Sequence, residues 1–251
     1  MQAKPNVAHE ILAKCSVRRY LRKVAPSAKS FHLVTQNVDR LSILALQSLT
    51  DRLAPGPNDH IPTGGRGAPV VFPNSILEMH GRICDVQCTE CDYRQEDPSD
   101  PLCPALGAAD ASFSDYTDAG SKEVNIPVEQ LPRCPACGAL ARPGVVWFGE
   151  KPYHLDEINS IVYKADMCLV IGTSSTVRAH FLYCCPLARW RSREGTSQVR
   201  PASTYAYRVQ RHGGKVAVIN LDPSEKDERA DFVFRGRCET ILPELFPELS
   251  D

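Results

Sequence analysis

His80 is followed by a glycine and then by a Cys-x-x-Cys pair, Cys88 and Cys91. Imidazole can take up or release a proton near neutral pH. Two cysteines two positions apart can grip one metal ion from a single turn. A second pair, Cys134 and Cys137, completes a four-thiolate set. Such a set suits tetrahedral zinc, and with every position filled by sulfur the metal is expected to be structural. About forty residues separate the two pairs, whereas a zinc ribbon usually has a spacer of about 15 to 20, so an insertion is expected there. Cys84 and Cys103 lie nearby and are not counted among the ligands.

Three further polar groups stand at the carboxyl ends of apolar runs. Phe31–Thr35 opens into Gln36, Asn37, Val38 and Asp39. The run Asp166–Gly172 continues as Thr173 and Ser174, and Lys215–Asp222 ends in Asn220, Leu221 and Asp222. Runs of this length read as buried parallel strands, and ligands of open parallel sheets bind where such strands end.

The elements that must position these groups follow the same rhythm. Asn6 can cap a helix over about residues 7 to 23, since Val7, Ile11 and Cys15 recur at four-residue spacing. Leu155, Ile158, Val162 and Ala165 mark the apolar face of another helix. Asp231–Arg235 predicts a fourth strand, and Thr240–Leu249 a short last helix interrupted by Pro243 and Pro247. Strand, polar tip and helix in repetition predict an α/β fold with a Rossmann-like, doubly wound parallel sheet. The Pro- and Gly-rich stretch 55–73 predicts an irregular loop. Pro143–Glu150 predicts a short extended segment whose backbone can receive a peptide as an added strand.

Bulk properties narrow the partners. Among 251 residues the formal net charge is −1 and 43% are hydrophobic, which predicts neither nucleic acid nor a membrane surface as partner. Eleven cysteines without a secretory signal, four of them in paired motifs, predict an intracellular reducing compartment with one metal site. Arginines clustered between 178 and 200 lack any nucleic-acid module around them.

Taken in order, Thr-Gln-Asn-Val-Asp39, Met-His-Gly81, the two Cys-x-x-Cys pairs, Val-Val-Trp-Phe-Gly-Glu150, Gly-Thr-Ser-Ser175 and Asn-Leu-Asp222 resemble the sirtuins, the NAD-dependent protein-lysine deacylases. The strings Pro-Leu-Cys-Pro-Ala-Leu106 and Leu-Pro-Arg-Cys134 look most like class III, whose members prefer acidic acyl groups such as succinyl and malonyl. The resemblance implies His80 as general base. It implies NAD contacts from Gln36, Asn37, Val38, Asp39, Gly172, Thr173, Ser174, Asn220, Leu221, Asp222 and Cys238. It also implies an acyl-lysine tunnel walled by Val146, Trp147 and Phe148, with Gly149 and Glu150 pairing with the substrate backbone. NAD and structural zinc are the implied cofactors, and acylated lysine on proteins is the implied partner. A mitochondrial location is implied by class III likeness, with cytoplasm or nucleus as alternatives.

Two departures shape the remaining expectations. The family's opening strand with its Gly-Ala-Gly loop and its Gly-Ile-Pro-x-Phe-Arg segment are not found in this sequence. Gly172-Thr-Ser-Ser-Thr-Val-Arg178 is nearly repeated by Gly195-Thr-Ser-Gln-Val-Arg200, so residues 178–200 read as an insertion. The expectation is a fragmentary or alternatively spliced product. Its domains would be an NAD-binding part over 1–81 and 143–251 and a small zinc module over 82–142. The alternative function is an inactive zinc-bearing protein that keeps the peptide groove.

Overall fold

The computed structural model describes residues 3–54, 70–97, 99, 101–107, 126–172, 202–223 and 227–250. The expected insertion at 178–200, together with Thr173 and Ser174, lies outside the described residues. The chain divides into two compact units. One comprises residues 1–36, 40–79 and 148–251, and the other residues 37–39 and 80–147.

The first unit begins with α1 (Val7–Cys15), capped as the sequence predicts. Asn6 Oδ1 accepts from the His9 backbone N–H at 3.2 Å, and the His9 ring accepts from the Asn6 N–H at 3.3 Å. The single helix expected over 7–23 is instead broken after Cys15. Val17 is extended and forms an antiparallel bridge with Val71. Arg18 N–H donates to the Val70 carbonyl at 2.9 Å, and Phe72 N–H donates to that of Ser16 at 3.0 Å. Val17 is fully buried, and a β-branched residue gains more from this pairing than from continuing a helix. The chain resumes as α2 (Arg18–Val24).

All described strands of this unit run parallel to their partners, in two pieces. β1 (Leu33–Thr35) pairs with β2 (Ile76–Glu78), the crossover between them carrying α3 (Leu41–Leu53). α4 (Leu155–Lys164) leads into β6 (Met167–Ile171), and α5 (Ala202–Arg211) connects β6 to β7 (Lys215–Asn220). β6, β7 and β8 (Phe232–Arg235) form the second piece, in that order. The chain ends with α6 (Cys238–Leu245) and a 3₁₀ turn at Pro247–Leu249. The last helix therefore starts earlier than its apolar pattern suggested and tolerates Pro243 inside it.

Two apolar clusters explain the packing around these strands. Ile11, Leu12 and Cys15 of α1 join Ile219 of β7 and Leu242 of α6, with Leu33, Ile171 and Phe234 packed against them. Leu77 and Met79 join Ile158 and Val162 of α4 and Tyr205 and Val209 of α5, with Val34 and Cys168 alongside. β7 is buried from Val216 to Asn220, as a strand covered on both faces must be.

The second unit is built differently. β3 (Gly81–Cys88) is flanked by β4 (Arg94–Glu96) and β5 (Ala141–Val145), both antiparallel to it. These short strands were not evident from periodicity. Asp85, buried, is held by Arg94 at 2.9 Å. Gly144 faces it so closely that an added Cβ would lie 2.6 Å from Asp85 Cβ. The extended segment expected through Glu150 stops at Val145, and the chain turns at Phe148 and Gly149, where Gly149 has φ of 103°.

Candidate functional site

The metal set comes together as the sequence predicts. The sulfurs of Cys88, Cys91, Cys134 and Cys137 all lie within 4.8 Å of one another. Two of the separations are 3.4 Å (Cys88 to Cys137) and 3.7 Å (Cys91 to Cys134). Zinc bonded to sulfur at about 2.3 Å in a tetrahedron separates its ligands by about 3.8 Å, so the set fits that ion. The turn after β3 supplies local support. Backbone N–H groups of Glu90 and Cys91 point at Cys88 Sγ from 3.3 and 3.4 Å. The Glu90 N–H leads the effects that lower the Cys88 thiol to about 6. At Cys91 the Tyr93 N–H favours the thiolate, but the neighbouring Cys137 and Cys88 sulfurs outweigh it and push the group up to about 12. Crowded sulfurs therefore resist ionising together unless a cation neutralises them.

His80 occupies the tight turn between β2 and β3. The turn is possible because Gly81 takes φ of 76°, a left-handed conformation that glycine adopts without a Cβ clash. The His80 carbonyl accepts from the Val146 N–H at 2.9 Å, so the residue that follows β5 holds the His80 backbone. The same unit includes Asn37, Val38 and Asp39. The Val38 carbonyl accepts from the Ile83 N–H at 2.9 Å, which ties that segment to β3. Asn37 and Asp39 are exposed and His80 is half-buried. Trp147 is also here, 54% exposed, with the Arg142 guanidinium 4.3 Å above its ring centre. That stacking had no sequence signal, since Arg142 and Trp147 are neither strand nor helix neighbours.

The other sequence-predicted residues belong to the first unit. Gln36 follows β1 and is exposed. Phe148, 93% exposed, Gly149 and Glu150 form the turn after β5. The carboxyl ends of β6 and β7 lie side by side through the Ile171–Ile219 pairing. Gly172 has φ of 61°, with nothing among the described residues within 4 Å of an added Cβ, and its N–H donates to the Ile219 carbonyl at 3.0 Å. Asn220 is buried, while Leu221 and Asp222 are exposed beyond it. Cys238 starts α6, and burial raises its thiol pKa. Exposed backbone at a strand end, a buried amide and a carboxylate suit the sugar and phosphate groups of a dinucleotide.

Residues 73–179 match the Sir2 family. The chain is 30% identical over 251 residues to the NAD-dependent protein deacylase of Pyrococcus furiosus, covering 99% of this chain and 70% of that protein. It belongs to the Sir2 family. Sirtuin-5 of Canis lupus familiaris, a mitochondrial NAD-dependent protein deacylase, is 32% identical over 248 residues, covering 97% of this chain. The chain spans 61% of the length of that Sir2 relative. A solved Sir2 homologue–ADP-ribose complex superposes with a TM-score of 0.59 at 26% identity, over 98% of this chain and 67% of that one. The mixed α/β fold with parallel sheets is thus the Sir2 fold, and the four-cysteine cluster is compatible with its zinc module.

Proposed function

We propose that this chain acts as an NAD-dependent protein-lysine deacylase. The reading rests on 30% identity to a deacylase of which the chain spans 70%. The observation that carries it is the glycine-enabled turn that fixes His80 in one compact unit with Asn37–Asp39. NAD supplies, when bound, an electrophilic ribose carbon and a nicotinamide leaving group. His80 accepts the ribose hydroxyl proton as general base, which suits imidazole because its ordinary pKa of about 6.5 leaves it neutral near pH 7. Asn37 and Asp39 orient the ribose by hydrogen bonding. Gly172 and Asn220–Asp222 hold the adenosine side at the strand ends. Trp147, stiffened by Arg142, and Phe148 bind the acyl-lysine stem, and Gly149 and Glu150 bind the substrate backbone. Thr173, Ser174, Gln36, Val38, Val146 and Cys238 complete the proposed contact set. The mitochondrial relatives support the same location for this chain.

The test is nicotinamide release from NAD by the purified chain with succinyl-, malonyl- or acetyl-lysine peptides. Release with at least one peptide is expected, and His80→Ala should lower the rate by about 10²–10⁴-fold, the usual contribution of a general base. Binding of acyl-peptide without release would favour the alternative of an inactive peptide-binding protein. The division of the described parallel strands into two pieces favours that second reading.

A further inference from the structure

β7 and β8 stay in register up to Asn220 and Arg235. One more backbone bond closes the ladder, from the Gly236 N–H to the Asn220 carbonyl at 3.1 Å. Beyond it Leu221 and Asp222 are exposed. Pro223 follows them, and proline has no N–H with which to extend the pairing.

A single side chain takes over where the ladder ends. Arg235, the last residue of β8, donates from Nη1 to the Asp222 carbonyl at 3.3 Å. Its Nη2 pairs with the Asp227 carboxylate. Asp227 is buried and opens the 3₁₀ turn Asp227–Arg229, and the Ala230 N–H donates to the Asp227 carbonyl at 3.0 Å. One planar guanidinium thus joins the start of the β7–β8 connection to its end, with Asp227 fixing the direction of the fork. Among the described residues the bond from Arg235 is the one hydrogen bond that Asp222 makes, and it leaves the exposed carboxylate unengaged. A carboxylate at a strand end, on a backbone tied down from behind, suits the hydroxyls of a ribose.

We propose that Arg235 is a positioning residue for the cofactor: through the Asp222 backbone it sets the Asp222 carboxylate against the adenosine ribose of NAD, and Asp227 aims it. The inference rests on the NAD-binding part of the reading above. It adds Arg235 and Asp227, which act through Asp222 rather than on the cofactor. Because Asp227 neutralises the guanidinium, the role of Arg235 is geometric and not an attraction for the cofactor's phosphates.

The test is ADP-ribose binding to the full chain by calorimetry. Arg235→Lys keeps the charge and can still pair with Asp227, but a single ammonium lacks the fork that reaches both ends of the connection. It should raise Kd about tenfold, the worth of one hydrogen bond to a charged group, and Arg235→Met should do at least as much. Asp222→Ala should weaken binding by itself. Adding Arg235→Lys to Asp222→Ala should cost less than about twofold more, because the carboxylate through which Arg235 acts is already gone. A merely structural role would instead give additive losses. With acyl-peptide saturating, Arg235→Lys should raise KM for NAD and leave kcat in place. Wild-type Kd in Arg235→Lys overturns the proposal, as do additive losses in the double variant or a wild type that does not bind ADP-ribose. A wild type that binds ADP-ribose but releases no nicotinamide defeats the deacylase reading alone, and the Kd comparison still decides the role of Arg235.

Discussion

Withdrawal of the metal should unfold the His80 unit selectively. Among the described residues of that unit, the buried apolar side chains are Cys88, Cys134 and Ala141, and none of the three apolar clusters lies in it. Side chains of this size contribute on the order of 1 kcal/mol each through burial. Structural zinc in small domains supplies about 10–16 kcal/mol, so the metal is the dominant stabilising term for β3, β4 and β5. Ordering each strand residue costs about 1–2 kcal/mol, which burial of three small side chains cannot offset. The assay is hydrogen exchange read by mass spectrometry before and after dipicolinate treatment, with metal content checked in parallel. Gly81–Cys88 and Ala141–Val145 should approach the exchange rate of an unfolded chain, while Val7–Cys15 and Lys215–Asn220 stay protected. Cys134→Ser should reproduce the pattern. Retention of β3 protection in a chain shown to be metal-free would refute the reasoning, because it would mean that something other than the four thiolates holds this unit.

Other perturbations test the first unit and the sheet geometry. Ile219→Ala deletes a fully buried side chain near the carboxyl end of β7 and should cost about 2–5 kcal/mol in denaturant unfolding. Gly144→Ala forces a Cβ to within 2.6 Å of Asp85 and should cost about 1–3 kcal/mol by overpacking, seen as faster exchange in β5. Asp231 accepts from Lys215 at 2.8 Å and from the Val216 N–H at 2.9 Å, and these hold its pKa down to about 2. An unfolded Asp titrates near 3.9, so its stabilisation is present above about pH 4 and is lost as pH falls toward 2. The stability gap between the wild type and Asp231→Asn should therefore close over that window in acid titrations. Cys15 is buried and its thiol is pushed up to about 12, so it should resist alkylation in the native chain and react only after unfolding.

What could be read from the sequence divides by length scale. The α1 cap and strands β6, β7 and β8 follow from local patterns whose physics is local: a side-chain cap, and short continuous apolar runs, of which β7 is the one buried along nearly its whole length. The zinc set was legible because Cys-x-x-Cys needs only one turn to aim two sulfurs at one point. The break at Ser16 and Val17 was not, because its cause, Val71, lies far along the chain. β3 was hidden because its partners supply little apolar burial, so its residues show no clean alternation. The stacking of Arg142 on Trp147 arises from the turn after β5, and no spacing rule encodes it. Gly81 was recognisable beside His80, but only its positive φ explains why that position excludes a side chain.

The proposed chemistry depends on two stabilising principles that fail separately. His80 and Asn37–Asp39 sit in the unit whose described core is mostly metal ligands, whereas Gly172 and Asn220–Asp222 end strands covered by the apolar clusters. Metal loss should therefore abolish proton transfer while leaving the strand ends folded. Core truncation at Ile219 should perturb the adenosine side while leaving the zinc cluster assembled.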